Sequence, residues 1–461
     1  MKKIPKRRQP SKLHRASQLS VLQANVAGND IGSREMFVCG PADENEQREM
    51  RVFGTTTEQI RECVGWLKRQ KVTSVAMEST GVYWIPVLEI MESSGWEVVL
   101  VDTRPLARVP GRKTDAEDCQ WLQTLPSHGL LQGVYRPGEQ ISEVRRMVRQ
   151  KTVLVRQQAD LLRRMQQCLD QMNVRIHPAV KPLQGATGMA MLRAIVAGER
   201  DPQKLAKLGD AGCQKSASEM VKLLTGHGRS DHLFNLGQLL RQYDFLSEQI
   251  AQYEQEIERR LQELTPLERP HLTVPPLANR EKRQTMQKRH QEAKRRVRYR
   301  MIGADLTAID GIGVETAEVF VSEYGPDLSK FATEGEFVKH IGLAPHRPVS
   351  GGKVLKKRRQ EKGTRTAEVL RNAASALKAS RSALGAYYRR MARRKDSAIA
   401  VFATARKLAQ AIFRLLRHGQ AYLDIGQAEY ERRYEAAHLR ALQARAKQSG
   451  YALVQLEPAT A

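Results

Sequence analysis

The sequence predicts an α/β domain, then long helices, then a mostly helical C-terminal domain. Three observations support this prediction. Short apolar segments alternate with helical spacing over residues 19–137, apolar residues recur at seven-residue steps in two later stretches, and Ala304–Tyr422 has mostly helical character. With 461 residues, the chain is long enough for two or three domains of about 150 residues.

The α/β domain begins with strands and continues with alternating helices and strands. After a first strand near Asp30, we predict strands at Met36–Cys39, Arg51–Phe53, Val72–Met77 and Glu97–Val101, and helices at Thr57–Gln70 and Trp84–Ser94. Thr55–Glu58 could cap the first helix, and Gly95 could end the second. Three early strands followed by this alternation predict a mixed sheet of the ribonuclease-H kind.

Two later stretches carry apolar residues every seven positions. The first holds Val148, Val155, Leu162 and Leu169, with Met165 and Met172 on an adjoining row; the second holds Leu236, Tyr243, Ile250, Ile257 and Leu264, with Leu239, Leu246 and Tyr253 beside them. Such repeats predict a coiled coil or a long two-helix hairpin over residues 138–270. Shorter helices and loops are expected between them, at Pro178–Gly228.

Basic segments lie outside these predicted domains. Residues 1–18 carry seven Lys or Arg and no acid, which predicts a disordered arm or a solvated tail. Glu281–Arg300 holds nine basic residues against two acids, so we interpret residues 271–303 as a linker or basic insertion, ordered only on a nucleic acid if at all. The C-terminal domain is placed at residues 304–425, and a final helix and tail at residues 426–461.

The overall charge favours a polyanionic partner. The chain has 76 Lys plus Arg and 50 Asp plus Glu, a net charge of +26, which makes nucleic acid the leading partner class. No run of 18 apolar residues is present, and the basic start lacks an apolar segment, so neither membrane insertion nor secretion is expected. The five cysteines form no CxxC pair, which argues against a zinc ribbon or a disulfide framework and favours a reducing cytoplasm.

Four carboxylates occur where a strand ends or a helix begins. Asp30 lies at the edge of the first strand, and Glu78 directly follows a predicted strand. Asp115 and Asp118, spaced i, i+3 after the plausible N-cap Thr114, would share one helix face. Taken singly, each acid is more often a cap or a surface charge. Together they would need cations, and two Mg²⁺ ions about 3.5–4 Å apart stabilise the attacking and leaving oxygens of phosphoryl transfer.

A glycine-containing turn in the C-terminal domain could bind phosphate. Leu306–Ala317 matches a helix-hairpin-helix turn, in which Gly311 and Gly313 permit the tight turn and bring backbone N–H groups to a phosphate. A plain corner between two helices is the alternative.

A serine in a basic segment is a candidate nucleophile. Ser350 precedes two glycines, so its hydroxyl would be uncrowded, and Arg347 and Lys353 could stabilise developing charge. A flexible turn is the alternative interpretation. Arg347 and Lys353 are also candidate nucleic-acid contacts, together with the basic residues that follow: Lys356, Lys357, Arg358 and Arg359.

Taken together, these motifs are similar to a known family. The segments concerned are Ala27–Ser33, Met77–Trp84, Val109–Leu122, Asp310–Gly313, Gly342–Pro345, Ser350–Val354 and Ala383–Met391. In this combination the chain resembles the insertion-sequence 110 family of DEDD transposases, in its longer subgroup. The resemblance extends from about Ala24 to Tyr422.

The resemblance implies a mechanism and partners. It implies a RuvC-like domain over residues 19–137, and a C-terminal transposase domain whose nucleophile is Ser350. The expected ligands of two Mg²⁺ ions are Asp30, Glu78, Asp115 and Asp118. A coiled coil would assemble a dimer or tetramer with a composite site between protomers. The expected activity is DNA recombination that excises and inserts a mobile element, through a covalent serine–DNA intermediate and guided by a structured noncoding bridge RNA.

Two other functions stay open at the level of sequence. One is a structure-specific nuclease of the Holliday-junction kind, with water as the nucleophile. The other is a nucleic-acid-binding scaffold without enzymatic activity. Covalent protein–DNA adducts would distinguish the transposase from the nuclease, and metal-dependent cleavage would exclude the scaffold. For the transposase we expect a location in the bacterial cytoplasm, at the nucleoid.

Overall fold

The computed structural model describes most of the chain outside its termini and a few internal segments. The described residues are 20–42, 47–78, 81–101, 115–130, 133–180, 182–209, 213, 215–264, 273–289, 291–345, 349–350, 353–354, 363–419, 421 and 424–454. The predicted arm at residues 1–18 lies outside them. The chain divides into two compact units, Met1–Arg136 and Pro137–Ala461.

The first unit contains a five-stranded mixed sheet. Its strands are β1 (Val26–Ile31), β2 (Glu35–Ala42), β3 (Arg48–Gly54), β4 (Ser74–Glu78) and β5 (Glu97–Val101), in the spatial order β3-β2-β1-β4-β5. The pairs β1–β2 and β2–β3 are antiparallel, whereas β1–β4 and β4–β5 are parallel. This arrangement confirms the predicted sheet of the ribonuclease-H kind.

Helices cover both faces of this sheet. They are α1 (Thr57–Arg69), α2 (Trp84–Ser93) and α3 (Asp115–Ser127). Helices α1 and α2 pack on one face around Trp66, Leu88 and Met91, whereas α3 packs on the other through Leu122. Because side chains alternate along a strand, each strand residue faces either the α1 and α2 side or the α3 side.

The predicted bounds of three strands were wrong by up to three residues: β2 and β3 are longer than predicted, and β4 is shifted along the chain. Strand β4 begins at Ser74 and includes Glu78, which pairs with Val101 of β5. The two residues before Ser74 belong to the connection between α1 and β4. Val72 N–H donates to the Leu67 carbonyl, and Thr73 N–H donates to the Asn25 carbonyl. Glu78 is therefore the last residue of the strand and not the residue after it.

The second unit is almost entirely helical in its described residues. Its helices are α4 (Glu139–Gln171), α5 (Ile176–Ala179), α6 (Ala186–Val196), α7 (Pro202–Ala206), α8 (Ala217–Leu224), α9 (Ser230–Glu263), α10 (Arg280–Lys288), α11 (Glu292–Ile302), α12 (Val314–Tyr324), α13 (Glu334–His340), α14 (Arg365–Ala376), α15 (Ala383–Arg394), α16 (Ser397–His418) and α17 (Gly426–Gln448). Short 3₁₀ helices occupy Leu306–Ala308 and Leu377–Ala379, and a small hairpin pairs β6 (Val349–Ser350) with β7 (Lys353–Val354).

The two longest helices, α4 with 33 residues and α9 with 34, pack along each other. Three polar contacts join them: Arg260 to Glu143, Lys151 to Glu254, and Gln158 to Ser247. Because the residue numbers rise on one helix as they fall on the other, the two helices are antiparallel. Short helices α5–α8 lie between them in sequence and share a buried core with them.

The expected disorder of Glu281–Arg300 was wrong. This segment forms most of helices α10 and α11, and its arginines Arg295 and Arg298 are each only 3% exposed. Arg295 pairs with Asp305, and Arg298 pairs with Glu258. Acids elsewhere in the chain neutralise these two arginines, which a count of charges within the segment could not reveal.

Candidate active site

The strand ends bring two of the four predicted carboxylates to one edge of the sheet. Asp30 is the next-to-last residue of β1, and Glu78 is the last residue of β4. These strands are parallel and their last paired residues are Asn29 and Met77, so Asp30 and Glu78 directly follow that pair on the two strands. Because successive strand residues face opposite sides of the sheet, both residues are on the side that α3 covers. The sheet therefore places two carboxylates side by side beneath one helix.

Helix α3 lies directly on β1. A Cβ atom on Gly28 would come within 2.2 Å of the Cys119 carbonyl oxygen and 2.5 Å of the Gln123 amide nitrogen. Only glycine permits this approach of helix to strand. The sequence analysis gave Gly28 no role, although a glycine inside a strand is a recognised signal of close backbone approach.

This contact brings a third predicted acid to the same place. Asp118 precedes Cys119 in α3 and is partly exposed. A hydrogen bond with a neighbouring thiol, and then burial, raise the pKa of Cys119 most, and the charges of Asp30 and Asp118 raise it further. Both carboxylates are thus close enough to act on one sulfur, although they are 88 positions apart in the chain.

The fourth predicted acid, Asp115, is the first residue of α3, but its side chain lies outside the description. Among the side chains that are described, no group of three or more His, Cys, Asp or Glu is close enough together to hold a metal ion. Carboxylate oxygens are nevertheless the ligands that Mg²⁺ prefers, so the donor set suits a hard divalent cation.

The predicted nucleophile lies in the second unit. Ser350 is in β6 and is opposite Lys353 of β7 in the antiparallel register. The structure describes only the backbone of both residues. The neighbouring cations proposed as nucleic-acid contacts lie outside the described residues: Arg347, Lys356, Lys357, Arg358 and Arg359.

The glycines of the predicted phosphate-binding turn have separate structural roles. Gly311 has φ +83°, and a Cβ atom there would lie 3.0 Å from Leu377 Cγ and 3.1 Å from the Ala373 carbonyl oxygen. Gly311 is thus required both by its backbone conformation and by close packing against α14 and the 3₁₀ turn after it. Gly313 is the N-cap of α12, whose first turn also carries Glu315.

Two family models match the chain. The DEDD transposase model of the IS110 type matches residues 27–174, and the model described as "Transposase IS116/IS110/IS902 family" matches residues 303–389. Together they cover just over half of the sequence. No curated protein matches it. Within the described part of the chain, no helix is both long and apolar enough to span a membrane.

The ribonuclease-H-like sheet and the two matched segments define a DEDD transposase, an enzyme whose substrate is DNA and whose activity is DNA cleavage and transfer. The chain belongs to the IS110 family of insertion-sequence transposases. Transposases of the DEDD type typically use divalent metal ions.

Proposed function

We propose that this transposase is an RNA-guided DNA recombinase that excises and inserts its own element through a covalent serine–DNA intermediate. The observation that carries the proposal is the position of Asp30 and Glu78 at the same ends of neighbouring parallel strands, with α3, which carries Asp118, packed against β1. Carboxylates placed in this way suit the binding of metal at a reacting phosphate.

In this proposal, two Mg²⁺ ions are held by Asp30, Glu78, Asp115 and Asp118. When bound, the ions polarise the scissile phosphate and lower the pKa of the attacking hydroxyl. The role of the protein is to hold like charges together on a rigid sheet edge and helix. Close packing of α3 on Gly28 supports that role, because it leaves the helix little freedom to move away from β1.

The proposed nucleophile is the hydroxyl of Ser350. Its Oγ forms a bond to DNA phosphorus while the bond from phosphorus to a deoxyribose oxygen breaks, and the proton lost from Oγ is balanced by the proton gained by that oxygen. One phosphodiester replaces another, so strand joining needs no external energy source. The short hairpin, with Ser350 opposite Lys353, supports a fixed position for the backbone at this residue.

The proposed domains follow the sequence motifs. Residues 19–137 form the RuvC-like domain, 138–270 the assembly domain, 304–425 the serine transposase domain and 426–461 the terminal helix and tail. Residues 271–303 lead into the transposase domain as helices.

The net charge of +26 supports DNA and a structured bridge RNA as partners, at the bacterial nucleoid. Sequencing the RNA that copurifies with the protein tests this assignment, and recovery of unrelated cellular RNA alone would contradict it.

The carboxylate site is tested by two charge-removing substitutions. Glu78→Gln and Asp115→Asn should each abolish strand cleavage of element-end DNA, because each removes a proposed metal ligand while keeping a similar shape. Thermal unfolding should show that both variants remain folded. Glu89→Gln, at an exposed position on α2, is the matched control and should cleave normally. Near-normal cleavage by either test variant would show that the assignment is wrong.

The nucleophile is tested by trapping the covalent adduct. Ser350→Ala should retain DNA and RNA binding but lose both recombination and the protein–DNA adduct seen after denaturation, whereas Ser350→Cys should retain a trace. Ser375→Ala, at an exposed position on α14, serves as the control. Cleavage without an adduct in the wild-type protein would favour the nuclease with water as nucleophile, and absence of metal-dependent cleavage would favour the scaffold.

A further inference from the structure

Three sulfur atoms meet on the α3 side of the sheet. Gly28, Cys39 and Met50 lie opposite one another on three adjacent strands, so their positions share one face. Helix α3 crosses this row with the Cys119 carbonyl against Gly28. The Cys119 thiol donates to the Met50 sulfur at 3.3 Å and also shares a hydrogen bond with the Cys39 thiol. Two cysteines 80 positions apart in sequence are therefore direct neighbours.

The pair is buried beside a partly exposed methionine. Cys39 and Cys119 are both 0% exposed and both are free thiols. Met50, which contacts Cys119, lies on the edge strand β3 and is 39% exposed. Displacement of the flexible Met50 side chain would uncover the Cys119 sulfur, because the two sulfur atoms are in direct contact.

We propose that Cys39 and Cys119 form a reversible disulfide when the protein meets a peroxide or a small-molecule disulfide. With hydrogen peroxide, the two thiols lose two protons and two electrons, one S–S bond forms, the O–O bond breaks and two waters leave. With a small disulfide, exchange through a mixed disulfide releases two small thiols. A reducing thiol reverses either reaction.

Because of its position, this disulfide changes the geometry of the proposed metal site. An S–S bond is about 2.05 Å long, shorter than the contact between two hydrogen-bonded thiols, so closure draws α3 towards β2. Strand β2 lies on one side of β1, and β4, with Glu78, lies on the other. Closure therefore moves Asp118 away from Glu78. This consequence rests on the proposed function, because it assumes that these acids share one metal site.

Thiol counting on the full-length protein tests the bond itself. After treatment with hydrogen peroxide, denaturation and alkylation, the number of reactive thiols should fall from five to three, and peptide mapping should identify Cys39 joined to Cys119. Dithiothreitol should restore five. Cys39→Ala and Cys119→Ala should each prevent the bond, whereas Cys63→Ala, an equally buried cysteine on the opposite face, should leave it intact. Five thiols remaining, or a different pair, would overturn the proposal.

A second measurement tests the consequence. Oxidised protein should cleave DNA about a hundredfold more slowly than reduced protein, the scale expected for a 1 Å misplacement in an active site. Cys39→Ala should keep its activity in peroxide. A disulfide that forms without loss of cleavage would overturn the link to the site. If reduced wild-type protein does not cleave DNA at all, the proposed function fails, and the thiol count still decides whether the bond forms.

Discussion

At the scale of single residues, Glu318 shows how strongly this protein depends on buried charge. Its carboxylate on α12 accepts hydrogen bonds from Lys151 of α4 and Arg298 of α11. All three side chains are at least nine-tenths buried. Burial by itself would raise the pKa of Glu318, but the charges and hydrogen bonds of the two cations outweigh burial and lower it. Glu318 thus joins three helices through one carboxylate.

We expect Glu318→Gln to destabilise the fold by about 3–5 kcal/mol, because it leaves two buried cations without their counter-charge. Urea unfolding of the second unit's helices measures this effect. Glu315→Gln, at an exposed position on the same helix, should change the free energy of unfolding by less than about 0.5 kcal/mol. Equal effects of the two substitutions would contradict the role given to the buried carboxylate.

The same residue predicts a dependence on pH. Since the folded-state pKa of Glu318 lies below its unfolded value, the stability that it contributes is complete above about pH 4.3 and is lost as the pH falls through the folded-state pKa. Below about pH 4.3, the free energy of unfolding should therefore fall more steeply in the wild type than in Glu318→Gln. Parallel curves over that range would contradict this prediction.

At the scale of elements, the basic helices α10 and α11 contain two kinds of cation. Arg295 and Arg298 are buried in ion pairs, and Lys282 donates to the Ile309 carbonyl. Burial lowers the pKa of Lys282 to about 8. The exposed cations are a separate set: Arg280, Arg283, Arg289 and Arg296. The first kind stabilises the fold, and the second faces solvent, where it can meet a phosphate backbone.

Neutralising the exposed set should weaken nucleic-acid binding without weakening the fold. Replacing Arg280, Arg283 and Arg289 together by Gln should lower affinity for all sequences and reduce the log–log salt slope by roughly 0.7–0.9 per lost phosphate contact. Binding titrations at several salt concentrations measure the slope. Arg298→Gln should show the opposite pattern, with lost stability. An unchanged slope in the triple variant would exclude this surface as a contact.

At the scale of the whole molecule, the two long helices α4 and α9 carry two sets of apolar residues. One set is buried and stabilises the fold, and the other is exposed and available for assembly. Ile257 on α9 is fully buried within the chain, so a polar residue there would test folding and not assembly. Four large apolar side chains on the same two helices are exposed instead: Val153, Val155, Phe234 and Phe245, of which the two phenylalanines are 65% and 59% exposed. We propose this outer surface as the contact between protomers.

Complementation tests assembly and the shared site together. Mixing Ser350→Ala with Asp115→Asn should restore part of the recombination activity, because an intact serine from one protomer can meet intact carboxylates from another. Adding Phe234→Ser and Phe245→Ser to both proteins should abolish the restored activity and reduce the particle mass in light scattering. Leu208→Ser, also exposed, is the control. No restoration in proven mixed oligomers would contradict a shared site.

Local features of this protein were determined by its sequence alone. A run of apolar residues predicted β5 at Glu97–Val101, and helical spacing predicted α1 from Thr57, because a strand or helix depends mainly on the residues within it. The sequence also predicted that Asp30 and Glu78 lie at strand ends, and each is within one residue of its predicted place relative to the end of its strand. The roles assigned to Ser350 and to the four acids stay predictions, since they depend on a bound substrate.

Contacts between distant parts of the chain were decided only by the tertiary structure. A count of charges predicted a disordered segment around Arg295 and Arg298, but three of their partners lie outside that segment: Asp305, Glu258 and Glu318. The neighbouring thiols Cys39 and Cys119 gave no signal in their spacing. Desolvation, ion pairing and close packing depend on distance in space, and this distance is set when the helices and the sheet pack together.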